Sequence, residues 1–270
     1  MNLYKYLITG MFILLIMPIV ACSDSSNTGL DIEAELEALR QNCAINKEVQ
    51  SYRMDGFFTH TEDDQTVEST LEAEFVAPES YHTKVHKDEG WEETIIISPK
   101  VYSRDSGFSG PRQGQCCPNV LEAQKLSLKA SIPSAETTFR LLDLLTDLEK
   151  LPDDKIDDVD CFHCRGRVDM DQQVEEQIAE VEAKLDLSKP EYRERFEAQK
   201  WMWDWQRRWE VNYELWISRE DCFIRQQRYE TQMPVMESPK GERIRGEMTN
   251  TALMHYYDIN EPIKIEPPSI

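Results

Sequence analysis

The sequence is poor in glycine, proline and cysteine, with 10, 13 and 7 of these residues among 270. These numbers exclude a collagen-like chain, a low-complexity chain and a small disulfide-rich scaffold. The chain also lacks a P-loop, a GxGxxG motif and a GxSxG motif, so it carries no signature of nucleotide binding or of a serine hydrolase. We therefore predict a protein that is not an enzyme and that has no cofactor.

Positive charge is scarce. Asp and Glu number 51 and Lys and Arg number 30, which gives a formal net charge of −21. A chain this acidic repels phosphate backbones, so nucleic acid is excluded as a predicted partner. With 40% hydrophobic and 30% charged residues, the composition is typical of a folded soluble domain and too polar for a polytopic membrane protein.

The N-terminus departs from this polarity. Lys5 precedes an apolar run from Met11 to Val20, a pattern typical of a secretory signal peptide. The tetrapeptide Ile19-Val20-Ala21-Cys22 resembles the bacterial lipobox, and this resemblance implies that Cys22 is lipidated and begins the mature chain. An uncleaved membrane anchor is the alternative, although a spanning helix needs roughly 20 apolar residues.

This interpretation divides the chain into segments. We expect a signal peptide at 1–21, a lipidated tether with a short helix at 22–45, a main domain at 46–262 and a Pro-rich tail at 263–270. Acyl chains on Cys22 would hold the protein at a membrane. The predicted location is the extracytoplasmic face of the cell envelope, at the outer membrane of a two-membrane cell or on the outer face of the cytoplasmic membrane of a one-membrane cell.

Six cysteines remain after Cys22, and an even number in an oxidising compartment favours disulfides. The candidates are Cys43, Cys116, Cys117, Cys161, Cys164 and Cys222. The sequence leaves their pairing open, and buried thiols or free cysteines without a role are the alternatives to disulfides. A zinc site or a redox CxxC motif at Cys161 and Cys164 is a weaker alternative, since an alternating strand points these thiols to opposite sides. We predict no metal site.

Period-two patterns predict most of the strands. Val67, Leu71 and Phe75 alternate with Glu68 and Glu72, which indicates a strand with one apolar and one polar face. Five such segments between residues 51 and 104, separated by tight turns, predict an antiparallel meander. Further strands are expected over 156–170, 210–218, 222–231 and 242–258.

Three segments have helical spacing instead. They are a short helix over 31–40, a helix capped by Ser134 that runs to about Leu148, and a helical hairpin at about 171–208 inserted between strands. The apolar stripe of the second helix must be buried, and the concave face of the sheet is the available surface. The predicted fold is α+β, a curved antiparallel sheet forming an open half-barrel, with helices closing the concave side and a helical insertion.

Local motifs add a resemblance to known proteins. They are Ser51-Tyr52-Arg53-Met54, Glu74-Phe75-Val76-Ala77-Pro78-Glu79, Val101-Tyr102, Leu151-Pro152, Val159-Asp160-Cys161-Phe162-His163, Glu214-Leu215-Trp216-Ile217-Ser218, Ile224-Arg225-Gln226 and Tyr256-Tyr257-Asp258-Ile259-Asn260-Glu261-Pro262. In this order the chain resembles the LolA/LolB-like superfamily of lipoprotein carriers and the mycobacterial LppX/LprG group of lipid-binding lipoproteins. The resemblance implies a half-barrel whose cavity binds a lipid or an acyl chain. The inserted segment over 171–208 departs from that pattern.

The predicted cavity is lined by large apolar side chains of the strands and of the second helix. The candidates are Phe57, Leu71, Phe75, Ile96, Phe139, Leu142, Leu145, Leu215 and Tyr229. Trp201, Trp205 and Trp209 form either a lid over the cavity or a helix face packed on the sheet. We therefore predict a membrane-anchored protein that binds a lipid or another hydrophobic ligand, for carriage or sensing. The alternative is an envelope module with a filled core that binds partner proteins.

Overall fold

The computed structural model describes residues 29–43, 48–88, 90–98, 100–107, 112–114, 132–184, 188–236 and 244–268. The predicted lipobox at Cys22 and the Cys116-Cys117 pair lie outside these residues. No helix among the described residues is both long enough and apolar enough to cross a membrane.

Twelve strands and four helices make up the described fold. The first half of the chain forms α1 (Gly29–Asn42), β1 (Ser51–Glu62), β2 (Gln65–Val76), β3 (Ser80–Lys87), β4 (Gly90–Ile97), β5 (Lys100–Asp105) and β6 (Arg112–Gly114). The second half forms α2 (Ala135–Asp143), β7 (Leu145–Lys150), β8 (Asp154–Ile156), β9 (Val159–Val168), α3 (Met170–Lys184), α4 (Pro190–Gln206), β10 (Glu210–Ser218), β11 (Ile224–Met236) and β12 (Ile244–Tyr257).

The strands form one antiparallel sheet in the order β6-β5-β4-β3-β2-β1-β12-β11-β10-β9-β7, and β8 also pairs with β9. The first long strand therefore lies beside the last, and β6 and β7 form the two edges of the described sheet. The turn between β1 and β2 has positive φ at both Asp63 and Asp64, as a two-residue type I′ hairpin requires. The predicted class is confirmed: an open antiparallel sheet with helices and a helical insertion.

Helices α1 and α2 cover one end of one face of the sheet, which we call the inner face. Ile32 and Leu39 of α1 and Leu142 of α2 are buried in the main core cluster with Phe162 and Leu215 of the strands. The N-cap side chain of Ser134 accepts a hydrogen bond from the backbone of Thr137, as the sequence predicts. The helix ends at Asp143 rather than near Leu148, because the chain returns to the sheet at Leu145 to pair with Val168.

A disulfide between Cys43 and Cys222 joins the end of α1 to the connection between β10 and β11. Ion pairs hold the same helix. Glu35 of α1 lies 2.5 Å from Lys150 Nζ and 3.3 Å from Arg219 Nη2. These contacts fix α1 against the sheet by both a covalent bond and charges.

The other two cysteines of the described residues are not disulfide-bonded. Cys161 and Cys164 are free and buried on β9, so the disulfide prediction is wrong for these two residues and the alternative of buried thiols is the observed one. Burial raises the pKa of Cys161 to about 11 and that of Cys164 to about 12. Both thiols are therefore protonated at neutral pH, which makes them poor nucleophiles and poor metal ligands.

Helices α3 and α4 form the predicted helical insertion. Val174, Phe196 and Trp203 form a small core between the two helices. The hairpin packs on the sheet at its base, where Trp205 and Trp209 contact a separate cluster on the inner face. It therefore occupies the end of the inner face opposite to α1.

Candidate functional site

The inner face differs from the outer face in charge. Side chains alternate along each strand, so the pairing register identifies which of them share a face. Between β9 and β12 the inward positions that the unshifted registers identify are Phe162, Cys164, Gly166, Val168, Val211, Tyr213, Leu215, Ile217, Gln227, Tyr229, Thr231, Met233, Val235, Gly246, Met248, Asn250, Ala252, Met254 and Tyr256. None of these residues is Asp, Glu, Lys or Arg.

The outward positions of the same strands are mostly polar. Arg165 lies beside Glu214, and Glu214 beside Arg228. A shallow depression of about 520 Å³ on this face is lined by Asp147, Arg165, Gly166, Arg167, Asn212, Tyr213, Glu214, Arg228, Tyr229 and Glu230. Its charged lining does not suit an acyl chain.

One end of the inner face is filled by protein side chains. Phe75, Ile96, Leu142 and Leu215 are buried there in the main core, and Leu215 is 0% exposed. Four of the predicted cavity residues are thus packed in the same core cluster as residues of α1 and α2. A ligand could contact them only if this core opened.

Next to this core lies a strip that is neither buried nor fully exposed. It comprises Phe58, Leu71, Tyr213, Gln227, Tyr229 and Met254, and we call it the inner strip. Leu71 and Tyr229 are two of the predicted cavity residues, and the register brings them onto this surface. Phe139 and Leu145, also predicted, are partly buried and pack against the main core.

The inner strip combines an apolar surface with neutral hydrogen-bonding groups. The rings of Tyr213 and Tyr229 lie 5.7 Å apart between their centroids. Gln227 Nε2 donates to the hydroxyl oxygen of Tyr256 over 3.0 Å. Burial raises the pKa of Tyr213 to about 12 and that of Tyr229 well above 10, so both hydroxyls stay protonated at neutral pH.

The prediction for Phe57 is wrong. Its side chain points to the outer face, where it is 43% exposed beside Leu253, which is 41% exposed. Phe58 is the neighbour that faces inward, in the same alternation as Tyr52 and Met54. Because the two phenylalanines are adjacent in one strand, only this alternation tells which of them faces inward. The alternation is visible in the sequence.

The tryptophans of the insertion have different roles. Trp205 Nε1 donates to the carbonyl oxygen of Pro234 over 2.7 Å, and its ring lies 4.8 Å from that of Trp209. Trp203, which the lid prediction omits, is buried between α3 and α4. Trp201 is 41% exposed. Trp205 and Trp209 therefore join the hairpin to the sheet, whereas Trp201 does not pack on it.

A second polar arrangement lies on the outer face of β1 to β5. His82 Nδ1 lies 3.3 Å from a carboxylate oxygen of Glu74, and its Nε2 lies 2.9 Å from one of Glu93. Arg104 pairs with Glu93, and the hydrogen bond from its guanidinium lowers the pKa of that carboxyl group. The described residues contain no group of three or more His, Cys, Asp or Glu side chains that could hold a metal ion.

Sequence reasoning missed Phe58, Tyr213, Gln227 and Met254 as members of the site. Tyr213 alternates with Leu215, so its inward position follows from the choice of Leu215. Gln227 and Met254 were missed because glutamine and methionine carry no signal of ligand contact by themselves. Only the pairing of β11 with β12 places them side by side.

Comparison with known proteins gives likenesses of architecture only. No family model and no curated protein matches the chain. Similar solved structures include the lipoprotein LppX of Mycobacterium tuberculosis, at 11% identity and a TM-score of 0.41, covering 87% of this chain and 100% of that one. LprF of Mycobacterium bovis gives 10% identity and a TM-score of 0.42, covering 87% and 98% of the two chains.

A LolA superfamily protein of Nitrosomonas europaea is also similar, at 10% identity and a TM-score of 0.25, covering 86% of this chain and 94% of that one. At such identities and TM-scores the likeness concerns the fold, and the ligand has to be argued from the residues of this chain.

Proposed function

We propose that the inner strip binds a lipid or another hydrophobic ligand, and that the chain acts as an envelope carrier or sensor rather than as an enzyme. The observation that supports this is the chemistry of the inner face. In a chain with a net charge of −21, the inward positions that the unshifted registers of β9 to β12 identify include no acidic or basic residue.

The strip is also accessible. Phe58, Leu71 and Met254 are only partly buried, although Leu71 and Met254 pack against the filled core. Each methylene group removed from water contributes about 0.8 kcal/mol, so an acyl chain of about 16 carbons would gain on the order of 12 kcal/mol. Ordering the chain and the protein offsets part of this gain.

We further propose that acylated Cys22 anchors the protein to a membrane on the extracytoplasmic side. The lipobox-like tetrapeptide supports this part of the proposal. A tether between Cys22 and α1 would hold the domain near the bilayer that supplies or receives the ligand. Mass spectrometry of the mature N-terminus tests it, because lipidation predicts a diacylated or triacylated cysteine as the first residue.

Ligand binding is tested with two adjacent residues that face opposite ways. The protein is purified from its own host, and bound lipids are measured by native mass spectrometry and by solvent extraction. We expect a co-purifying acyl species in the wild type and in Phe57→Ser, and its loss in Phe58→Ser. A wild-type protein that carries no acyl species, and takes up none from micromolar fluorescent fatty acid, contradicts the proposal.

A further inference from the structure

We infer that the inner strip selects ligands whose polar part is uncharged, such as an ester, a hydroxyl group or an amide, over ligands that end in a carboxylate or a phosphate. Gln227, Tyr213 and Tyr229 are the residues that would contact this polar part. The inference rests on the proposed function, and it names the class of ligand for the same site.

The first argument is the distribution of charge around the strip. Lys87 and Glu92 lie on the inner face of β3 and β4 and pair with each other over 3.1 Å. On β11, Arg225 lies two residues before Gln227 and pairs with Asp221 over 2.5 Å. Because these cations already have an acidic partner, a carboxylate placed on the strip would lose water without gaining a free cation, which is unfavourable for a buried charge.

Helix α2 carries a cation, Arg140, that could attract an acidic headgroup. Arg140 of α2 is partly buried, its Nε has no hydrogen-bond partner among the described residues, and Glu136 interacts with it. Burial lowers the pKa of Arg140. If this guanidinium reached the ligand, an acidic headgroup would be preferred instead, so Arg140 is included in the test.

The second argument is the set of donors that the strip offers. Tyr213 and Tyr229 are cross-strand neighbours, and Gln227 lies two residues from Tyr229 on the same face of β11. The hydroxyl groups of Tyr213 and Tyr229 stay protonated because burial raises the pKa of both side chains. The amide of Gln227 has two N–H donors and one acceptor, and its Nε2 donates to the hydroxyl oxygen of Tyr256 over 3.0 Å and to the thioether sulfur of Met254 over 3.6 Å. The thioether is a weak acceptor, so an oxygen of the ligand would replace it favourably. Neutral donors of this kind match a carbonyl or hydroxyl oxygen without a charge to neutralise.

The experiment compares ligands that share one acyl chain. Displacement of the uncharged fluorescent probe N-phenyl-1-naphthylamine from the full-length protein is measured at pH 8 with 1-monopalmitoylglycerol, palmitate and 1-palmitoyl lysophosphatidic acid. We expect the monoacylglycerol to bind at least about ten-fold more tightly than either anion, a factor that corresponds to about 1.4 kcal/mol.

Variants assign this preference to the strip. Gln227→Leu and Tyr229→Phe should each weaken monoacylglycerol binding by about five-fold, as expected for the loss of one hydrogen bond. Gln226→Leu is the matched control, because Gln226 is the neighbour that pairs with outward-facing Trp216 and His255. This variant should leave the affinity for the monoacylglycerol unchanged.

Two results overturn the inference in different ways. If palmitate binds as tightly as the monoacylglycerol, the strip does not select uncharged ligands. Loss of palmitate binding in Arg140→Gln would then show that this arginine contacts the carboxylate. If neither the probe nor any of the three lipids binds, the proposed function itself is wrong.

Discussion

The disulfide between Cys43 and Cys222 allows a quantitative prediction. It joins residues 179 positions apart, so it encloses most of the described fold. In the chain-entropy account, a loop of this length lowers the entropy of the unfolded state enough to stabilise the native state by about 5 kcal/mol. That is a large share of the total stability of an ordinary domain, which is about 5–15 kcal/mol.

We expect the double variant Cys43→Ala/Cys222→Ala to unfold at a lower urea concentration, with a free energy of unfolding reduced by about 3–5 kcal/mol. The lower bound allows for the ion pairs of Glu35, which keep α1 on the sheet without the covalent bond. Wild-type protein in a thiol reductant should approach the same value, because it then also lacks the cross-link. The measurement is urea denaturation followed by tryptophan fluorescence.

The control is the pair of free thiols. The free energy of unfolding of Cys164→Ala should differ from that of the wild type by the same amount with and without reductant, since this residue forms no cross-link. A thiol assay reports whether the disulfide has been reduced. Full reduction with a change in stability below about 1 kcal/mol would refute the reasoning, because the cross-link would then not constrain the unfolded chain.

Three further predictions concern packing, charge and the hairpin. Gly166→Ala should destabilise the protein by about 2 kcal/mol, because the added Cβ would lie 3.0–3.2 Å from the atoms of three neighbouring residues. At Gly56 the close contact of an added Cβ is with the edge of the Phe58 ring, which can move, and Leu71 Cβ lies at an ordinary contact distance of 3.4 Å, so Gly56→Ala should cost less. Urea denaturation of the two alanine variants tests this difference. Glu93→Gln should cost about 2 kcal/mol at pH 7, since the side chain is 5% exposed and bonded to a guanidinium. The lowered pKa of Glu93 means that its stabilisation is present at neutral pH and lost on acidification, so the difference between variant and wild type should begin to narrow below its ordinary pKa of 4.5, and a constant difference down to pH 3 would contradict it. Trp205→Phe should raise hydrogen exchange in the hairpin by removing an indole donor worth about 1 kcal/mol, while Trp201→Phe should not; equal exchange in the two variants would show that the hairpin is held by other contacts.

The strands could be predicted well because their pattern is local. Alternation of apolar and acidic residues in β2 appears in the sequence, and the pairs of aspartates in the hairpin turns mark where the strands end. The hairpin of α3 and α4 was also predicted, since its apolar spacing and the break at Pro190 are local signals. The C-terminal end of α2 was misplaced, because Leu144, Leu145 and Leu148 continue a helical spacing that pairing with β9 overrides.

The candidate site was predicted only in part. Leu71 and Tyr229 lie on the inner face, where the sequence predicts the cavity, whereas Phe57 points outward and its neighbour Phe58 faces inward. A shift of one residue moves a side chain to the other face of the sheet, so an error of one position reverses the assignment. Core and accessible positions could not be separated either, because Leu215 and Leu71 are equally apolar and differ only in what the helices cover.

The sequence alone determined the charge, the alternation of the strands and the positions of most turns, because each depends on residues close together in the chain. The tertiary structure decided the rest. It paired Cys43 with Cys222, left Cys161 and Cys164 as buried thiols, and brought Tyr213 beside Tyr229. These outcomes depend on which strands become neighbours and which helix covers them, and such contacts join residues that are distant in sequence.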